Sequence, residues 1–180
     1  MTYVHVVDPL AKSKLPTDAG VYWLVAVDRP FGDSNRIGPR SFGRLSGQDT
    51  HGNLYIGSAK NVRDRAGDQL IDTLVRSNKM TEWSRWYDRL LCFDYFHSNA
   101  VSSIYPLTHL AVKFEVVAAH SDAVRLEQLL YYNYRQANGE LPPFNRDFTM
   151  KLWISAEQER NQRGPLQMPT DRYWPETLQT

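Results

Sequence analysis

A chain of 180 residues, 42% of them apolar, is long enough to bury the core of one domain. Its 21 basic and 20 acidic residues leave a formal charge of +1, which is no electrostatic signature of nucleic-acid binding by itself. No run of 18 apolar residues exists to span a bilayer, Met1-Thr2-Tyr3-Val4-His5 lacks the features of a secretory signal, and the single Cys92 excludes an internal disulfide or a cysteine zinc site. No membrane association and a cytoplasmic, reducing setting are therefore expected.

Gly20 to Val27 (GVYWLVAV) is rich in β-formers and almost continuously apolar, which predicts a buried strand. Residues 28–52 then break every regular pattern, with Pro30, Gly32, Asp33, Gly38, Pro39, Gly43, Gly47 and Gly52 punctuating them. A stretch of that length inside a compact domain is usually functional or disordered, and this one carries Arg29, Arg36, Arg40 and Arg44. Between Arg29 and Arg89 there are 11 basic and seven acidic residues, a mild local excess compatible with a phosphate-facing surface.

Asn53 to Gly57 reads as the returning strand. Asn61 suits a helix N-cap, and Val62, Ala66, Leu70 and Leu74 form one stripe of a helix to about Val75. A second helix is expected from Thr81, packing Trp83, Trp86, Tyr87, Leu90 and Leu91 into the core. Cys92–Phe96 and Leu110–Ala118 read as strands. Ser121 or Asp122 then caps a helix to about Gln136, ended by Asn138-Gly139. A short helix from Ser155 precedes a proline-containing tail. The outline is one α/β (α+β) domain with helices beside a small sheet.

Glu127 is the most telling single position. At i−4, i−3, i+3, i+4 and i+7 its helix neighbours are Ala123, Val124, Leu130, Tyr131 and Tyr134, so a carboxylate lies on the apolar stripe. Buried without a partner it would cost several kcal/mol, so it needs a metal, an arginine or several hydrogen bonds. The pattern alone leaves a metal ligand and a structural pair level. Tyr22 and Tyr55 fall in strands, where half-buried phenols usually satisfy any nearby acceptor. Arg63 and Arg65 lie two positions apart on a helix, so they point to different faces. Asn145, after Pro142-Pro143-Phe144, is in a place where a turn-forming asparagine is expected.

The pair Gly20-Val21-Tyr22 and Tyr55-Ile56-Gly57, the second running into Ser58-Ala59-Lys60-Asn61-Val62-Arg63-Asp64-Arg65, resembles the GIY-YIG nuclease family. The resemblance covers about residues 20–146 and leaves 148–180 as a C-terminal extension. It implies a compact, mainly antiparallel sheet flanked by helices. It also implies a DNA endonuclease that hydrolyses phosphodiester bonds, with one Mg²⁺ or Mn²⁺ held by Glu127. In that picture Tyr55 orients or deprotonates the attacking water, Tyr22 hydrogen-bonds nearby, Arg65 meets the charge that develops on phosphate, and Asn145 supports the site. Arg36, Arg40 and Arg44 of the 28–52 insertion, with Lys60 and Arg63, are the candidates for holding double-stranded DNA. Such an insertion fits restriction-type members.

The chain departs from the family at Gln69, where a histidine or tyrosine commonly serves proton transfer; Gln69 can hydrogen-bond but cannot titrate. His51, His97 and His109 are available as substitutes. The alternative is a catalytically weakened copy of the fold that binds nucleic acid or a protein. Cutting both strands from one catalytic centre would call for a homodimer or sequential nicking.

Overall fold

A computed structural model describes residues 3–33, 37–76 and 105–145. Over these the chain is a mixed α/β fold. Strands β1 (Val4–His5), β2 (Gly20–Ala26), β5 (Asn53–Ala59) and β6 (Leu110–Val116) form one sheet in the order β1-β6-β2-β5. Every pairing in it is antiparallel. β2 lies between β6 and β5, and all seven of its residues are buried, which is why its sequence runs apolar without alternation.

Each face of the sheet has its own core. Tyr22, Leu24 and Leu54 pack with Leu15 from the N-terminal segment and with Val62, Ala66, Leu70 and Leu74. Val62 leads into, and the other three lie on, the helical arm formed by a π-helical segment, Arg63–Ile71, running into α1 (Asp72–Arg76). Val21, Trp23, Val25 and Ile56 pack on the opposite face against Ala123, Leu130 and Tyr131 of α2 (His120–Asn138). A register shift between Leu24 and Val25 lets Leu54 and Tyr55 join the same core although they are consecutive.

Local chemistry accounts for the helix ends. Asn61 Oδ1 accepts from the Asp64 N–H at 3.2 Å, the capping bond expected of that asparagine. The arm then opens into π geometry, the Asp72 N–H reaching the Gly67 carbonyl five residues back. α2 stops at Gly139, whose left-handed backbone (φ +74°) returns its N–H to the Arg135 carbonyl.

Two expectations need correction, and one strand had no forecast at all. α2 begins at His120 and not at Ser121 or Asp122; Ala119 is the N-cap and contributes no side-chain bond. The N-terminal segment supplies β1, which pairs Val4 with Val112 and His5 with Ala111. Residues 28–52 are not a patternless loop. They hold a two-stranded hairpin, β3 (Phe42–Arg44) with β4 (Gly47–Asp49), and Val27 bridges Pro39. Long-range bonds fold this hairpin onto the body: buried Asp49 accepts from the Tyr134 hydroxyl at 2.9 Å, and Ser46 N–H donates to the Asn138 carbonyl at 3.1 Å. The helix expected from Thr81, the strand Cys92–Phe96, the helix from Ser155 and the extension 148–180 lie outside the described residues. Among the described residues, no helix is long and apolar enough to cross a membrane.

Candidate active site

Among the described residues β5 is the last strand of the sheet, so its outer row of backbone groups needs partners from elsewhere. The segment after α2 supplies them. Phe144 N–H donates to the Leu54 carbonyl at 2.8 Å. Asn145 then acts as a one-residue strand: its Oδ1 accepts the Ile56 N–H and its Nδ2 donates to the Ile56 carbonyl, both at 2.9 Å. The turn expected around the prolines also forms, with Asn145 N–H on the Pro142 carbonyl. Asn145 is thus brought to β5 by its side chain and held in a turn by its backbone.

One step further along the same edge comes Glu127. Its Oε2 accepts from the Ser58 hydroxyl at 2.6 Å, and its Oε1 lies 3.3 Å from the Tyr131 hydroxyl. Burial pushes the Glu127 carboxyl above the usual carboxylate range. The Ser58 and Tyr131 hydroxyls, the Ser58 backbone and the Arg65 guanidinium act in the other direction. Tyr131 has a better acceptor than Glu127 in the Ile56 carbonyl, at 2.8 Å. Of the two hydroxyl contacts, the one at Oε1 is therefore the weaker.

Tyr22 and Tyr55 meet on the other face of β2 and β5, their ring centroids 6.0 Å apart. Gly57 stands opposite Tyr22 in the ladder. A Cβ there would fall 2.7 Å from both Cζ and the hydroxyl of Tyr22 and 2.8 Å from Tyr55 Cε1, so the bare backbone makes the room for the two rings. Gly20 has a similar reason to be glycine, since a Cβ would lie 2.3 Å from the Glu115 carbonyl oxygen of the neighbouring strand. The Tyr22 hydroxyl is fully buried beside Tyr55 and makes no well-formed hydrogen bond among the described residues. Burial raises its pKa well above the phenol range, Tyr55 adds to this, and Arg65 opposes it, so Tyr22 stays a neutral hydroxyl.

Arg65 and Glu127, 62 residues apart in sequence, are close enough for each to act on Tyr22 and for Arg65 to act on Glu127. Arg65 Nη1 donates to Gln69 Oε1 at 2.5 Å, one helical turn away. Gln69 therefore orients the guanidinium. Asp68, an alternative partner for Arg65, is paired with Lys12 at 2.8 Å.

The basic candidates divide. Lys60, directly after β5, and Arg40 are exposed. Arg63 points elsewhere, its Nε donating to the Leu15 carbonyl at 2.9 Å and fastening the N-terminal segment. Arg44 is committed to the fold: its Nε is 3.1 Å from Glu140 Oε1, Nη2 donates to the Leu141 carbonyl, and its guanidinium lies over the Tyr134 ring. Arg36 and His97 lie outside the described residues. His51 precedes β5 at the opposite end from Ser58, near Asp49 and Lys113, and His109 contacts Thr108.

Sequence reasoning gave Ser58 and Tyr131 no role in the site, because a strand serine and a stripe tyrosine read as ordinary sheet and core residues. It also passed over Lys113, buried beneath Trp23 with Nζ 4.9 Å from the ring centroid. Among the described residues, no group of three histidine, cysteine or acidic side chains gathers that could enclose a metal. A lone carboxylate with one weakly bonded oxygen fits a hard cation that keeps most of its water and takes its other ligands from substrate phosphate. No protein-family model, curated protein or solved structure matches the chain.

Proposed function

We propose that this chain is a divalent-metal-dependent DNA endonuclease of the GIY-YIG type, of the restriction kind. One observation carries the reading: a carboxylate, a guanidinium and two phenols from four separate stretches of sequence act on one another around β5. Phosphodiester hydrolysis can use such groups as cation ligand, charge neutraliser and water-orienting hydroxyls. Glu127 would hold Mg²⁺ or Mn²⁺, and the bound cation would supply charge neutralisation at the scissile phosphate. Tyr55 would orient the attacking water, with the neutral Tyr22 hydroxyl beside it as a donor. The water oxygen bonds to phosphorus as the bond to the 3′ oxygen breaks; the water proton leaves to solvent, and the 3′ oxygen takes a proton from solvent to become a hydroxyl. Arg65, held by Gln69, meets the charge that builds on the non-bridging oxygens. Asn145 keeps β5 in place beneath this chemistry.

Exposed Lys60 lies at the Ser58 end of β5 and exposed Arg40 beside Gly52 at the other end, where they would meet double-stranded DNA, and paired cuts would require a homodimer or sequential nicking. The test is supercoiled plasmid incubated with the purified chain and Mg²⁺, with and without chelator. Relaxation or linearisation is expected, abolished by chelator and reduced by about 10²–10³ in Arg65→Ala, the scale of losing one charge-stabilising donor. A second reading, a non-cleaving nucleic-acid or protein binder, is favoured by one observation: the Gln69 side chain is engaged with Arg65 and cannot titrate. Intact plasmid in Mg²⁺ and in Mn²⁺ would overturn the nuclease reading.

A further inference from the structure

The two oxygens of Glu127 have unlike surroundings, and hydrogen counting shows why. Asn145 uses its whole amide: Oδ1 takes the Ile56 N–H, one Nδ2 hydrogen goes to the Ile56 carbonyl, and the other goes to the Tyr131 oxygen at 2.5 Å. The Tyr131 hydroxyl has one hydrogen, with the Ile56 carbonyl at 2.8 Å and Glu127 Oε1 at 3.3 Å competing for it. The nearer acceptor takes it. Glu127 Oε1 then has no short side-chain hydrogen bond, while the Ser58 backbone also acts on the carboxylate. Oε2, by contrast, is tied by the Ser58 hydroxyl at 2.6 Å, in the short range of charge-assisted bonds.

Ser58 is well placed for such a role. It lies on the edge strand β5, two residues beyond the Ile56 unit that Asn145 clamps, so its hydroxyl is fixed by the sheet. Glu127 comes from a different element, with a long side chain that has several rotamers. We propose that Ser58 is a positioning residue: by pinning Oε2 it turns Oε1 toward the divalent cation, so that cation affinity depends on a hydroxyl that touches neither metal nor phosphate. This inference rests on the nuclease reading, in which Glu127 is the metal ligand.

The experiment is a Mn²⁺ titration of the full chain without DNA, following the free-ion signal by electron paramagnetic resonance. Wild type, Glu127→Gln, Ser58→Ala and Ser58→Thr are compared, with thermal melts to check folding. Ser58→Ala is expected to weaken Mn²⁺ binding by about tenfold or more, as loss of an outer hydrogen bond to a metal ligand does. Ser58→Thr keeps the hydroxyl and the strand preference and should bind as wild type does. Should the alanine variant not fold, Ser58→Cys, a much weaker donor, carries the same expectation. Equal binding by wild type and Glu127→Gln would remove Glu127 as ligand, and the metal reading falls with the proposal. Binding that needs Glu127 but is unchanged in Ser58→Ala overturns the proposal alone. Failure of Ser58→Thr to restore affinity also overturns it, since the hydroxyl would then not be the active feature.

Discussion

Gly57→Ala tests whether packing between the two tyrosines holds the site together. Its backbone does not require glycine, because Gly57 is not among the positive-φ positions, so an alanine without steric conflict would stabilise by about 0.4–1 kcal/mol through the unfolded chain. The surroundings reverse that sign. The new methyl would meet Tyr22 Cζ and hydroxyl at 2.7 Å and Tyr55 Cε1 at 2.8 Å, and Tyr22 is 0% exposed within a packed core with nowhere to move. Overpacking of this kind costs about 1–3 kcal/mol, so after that gain is subtracted a net loss of about 1 kcal/mol is expected. Displacing the rings by a fraction of an ångström should also lower cleavage by up to about 10²-fold. Urea unfolding followed by fluorescence, with plasmid cleavage in parallel, measures both. Gly43→Ala is the control, since nothing lies within 4 Å of its Cβ position. A Gly57→Ala protein as stable as wild type would refute the packing argument.

Two further substitutions examine the rest of the fold. Burial lowers the Lys113 pKa from 10.5 to about 8, with Asp49 partly opposing this, so the folded state binds fewer protons than the unfolded chain between those values. Stability contributed at this position therefore rises with pH from about 8 to 10.5, and the penalty below pH 8 is about 3 kcal/mol before the Trp23 ring contact offsets part of it. Lys113→Met should be more stable than wild type at pH 7, with the difference shrinking by pH 9.5 in urea midpoints; a pH-independent difference contradicts this. Tyr134→Phe removes one of three donors to buried Asp49, leaving the His51 and Asn53 N–H groups at 2.7 and 3.0 Å. A loss of about 1.5–3 kcal/mol is expected with cleavage per folded molecule unchanged, and a selective loss of cleavage would tie the hairpin to the site.

What could be read from the sequence was local. β2, β5, β6, the Asn61 cap, the Gly139 stop and the stripe carrying Glu127 are all set by residues within one or two turns of each other. Helix geometry required Arg63 and Arg65 to face different ways, and Arg63 points to the Leu15 carbonyl; the choice of Arg65 came from the family resemblance. What escaped depends on long-range partners. β1 is two residues long and exists only through pairing with β6 over a hundred positions away. The hairpin in the insertion is held by Asp49 on Tyr134 and Arg44 on Glu140, pairs 85 and 96 residues apart that leave no periodic trace. Ser58 meets Glu127 across 69 residues. The role of Asn145 was half legible: its turn was expected, but its clasp on Ile56 appears only once β5 is known to be an edge.

The most direct measurement is the Mg²⁺-dependent cleavage rate of Glu127→Gln beside wild type, with melting temperatures for both. The amide keeps the size of the carboxylate and can still accept from Ser58, yet it removes the charge that would hold the cation. Cleavage should fall by at least about 10³-fold, the scale of losing one key electrostatic group, with the melting temperature nearly unchanged. A Glu127→Gln protein that folds and still cuts DNA at the wild-type rate would contradict the account.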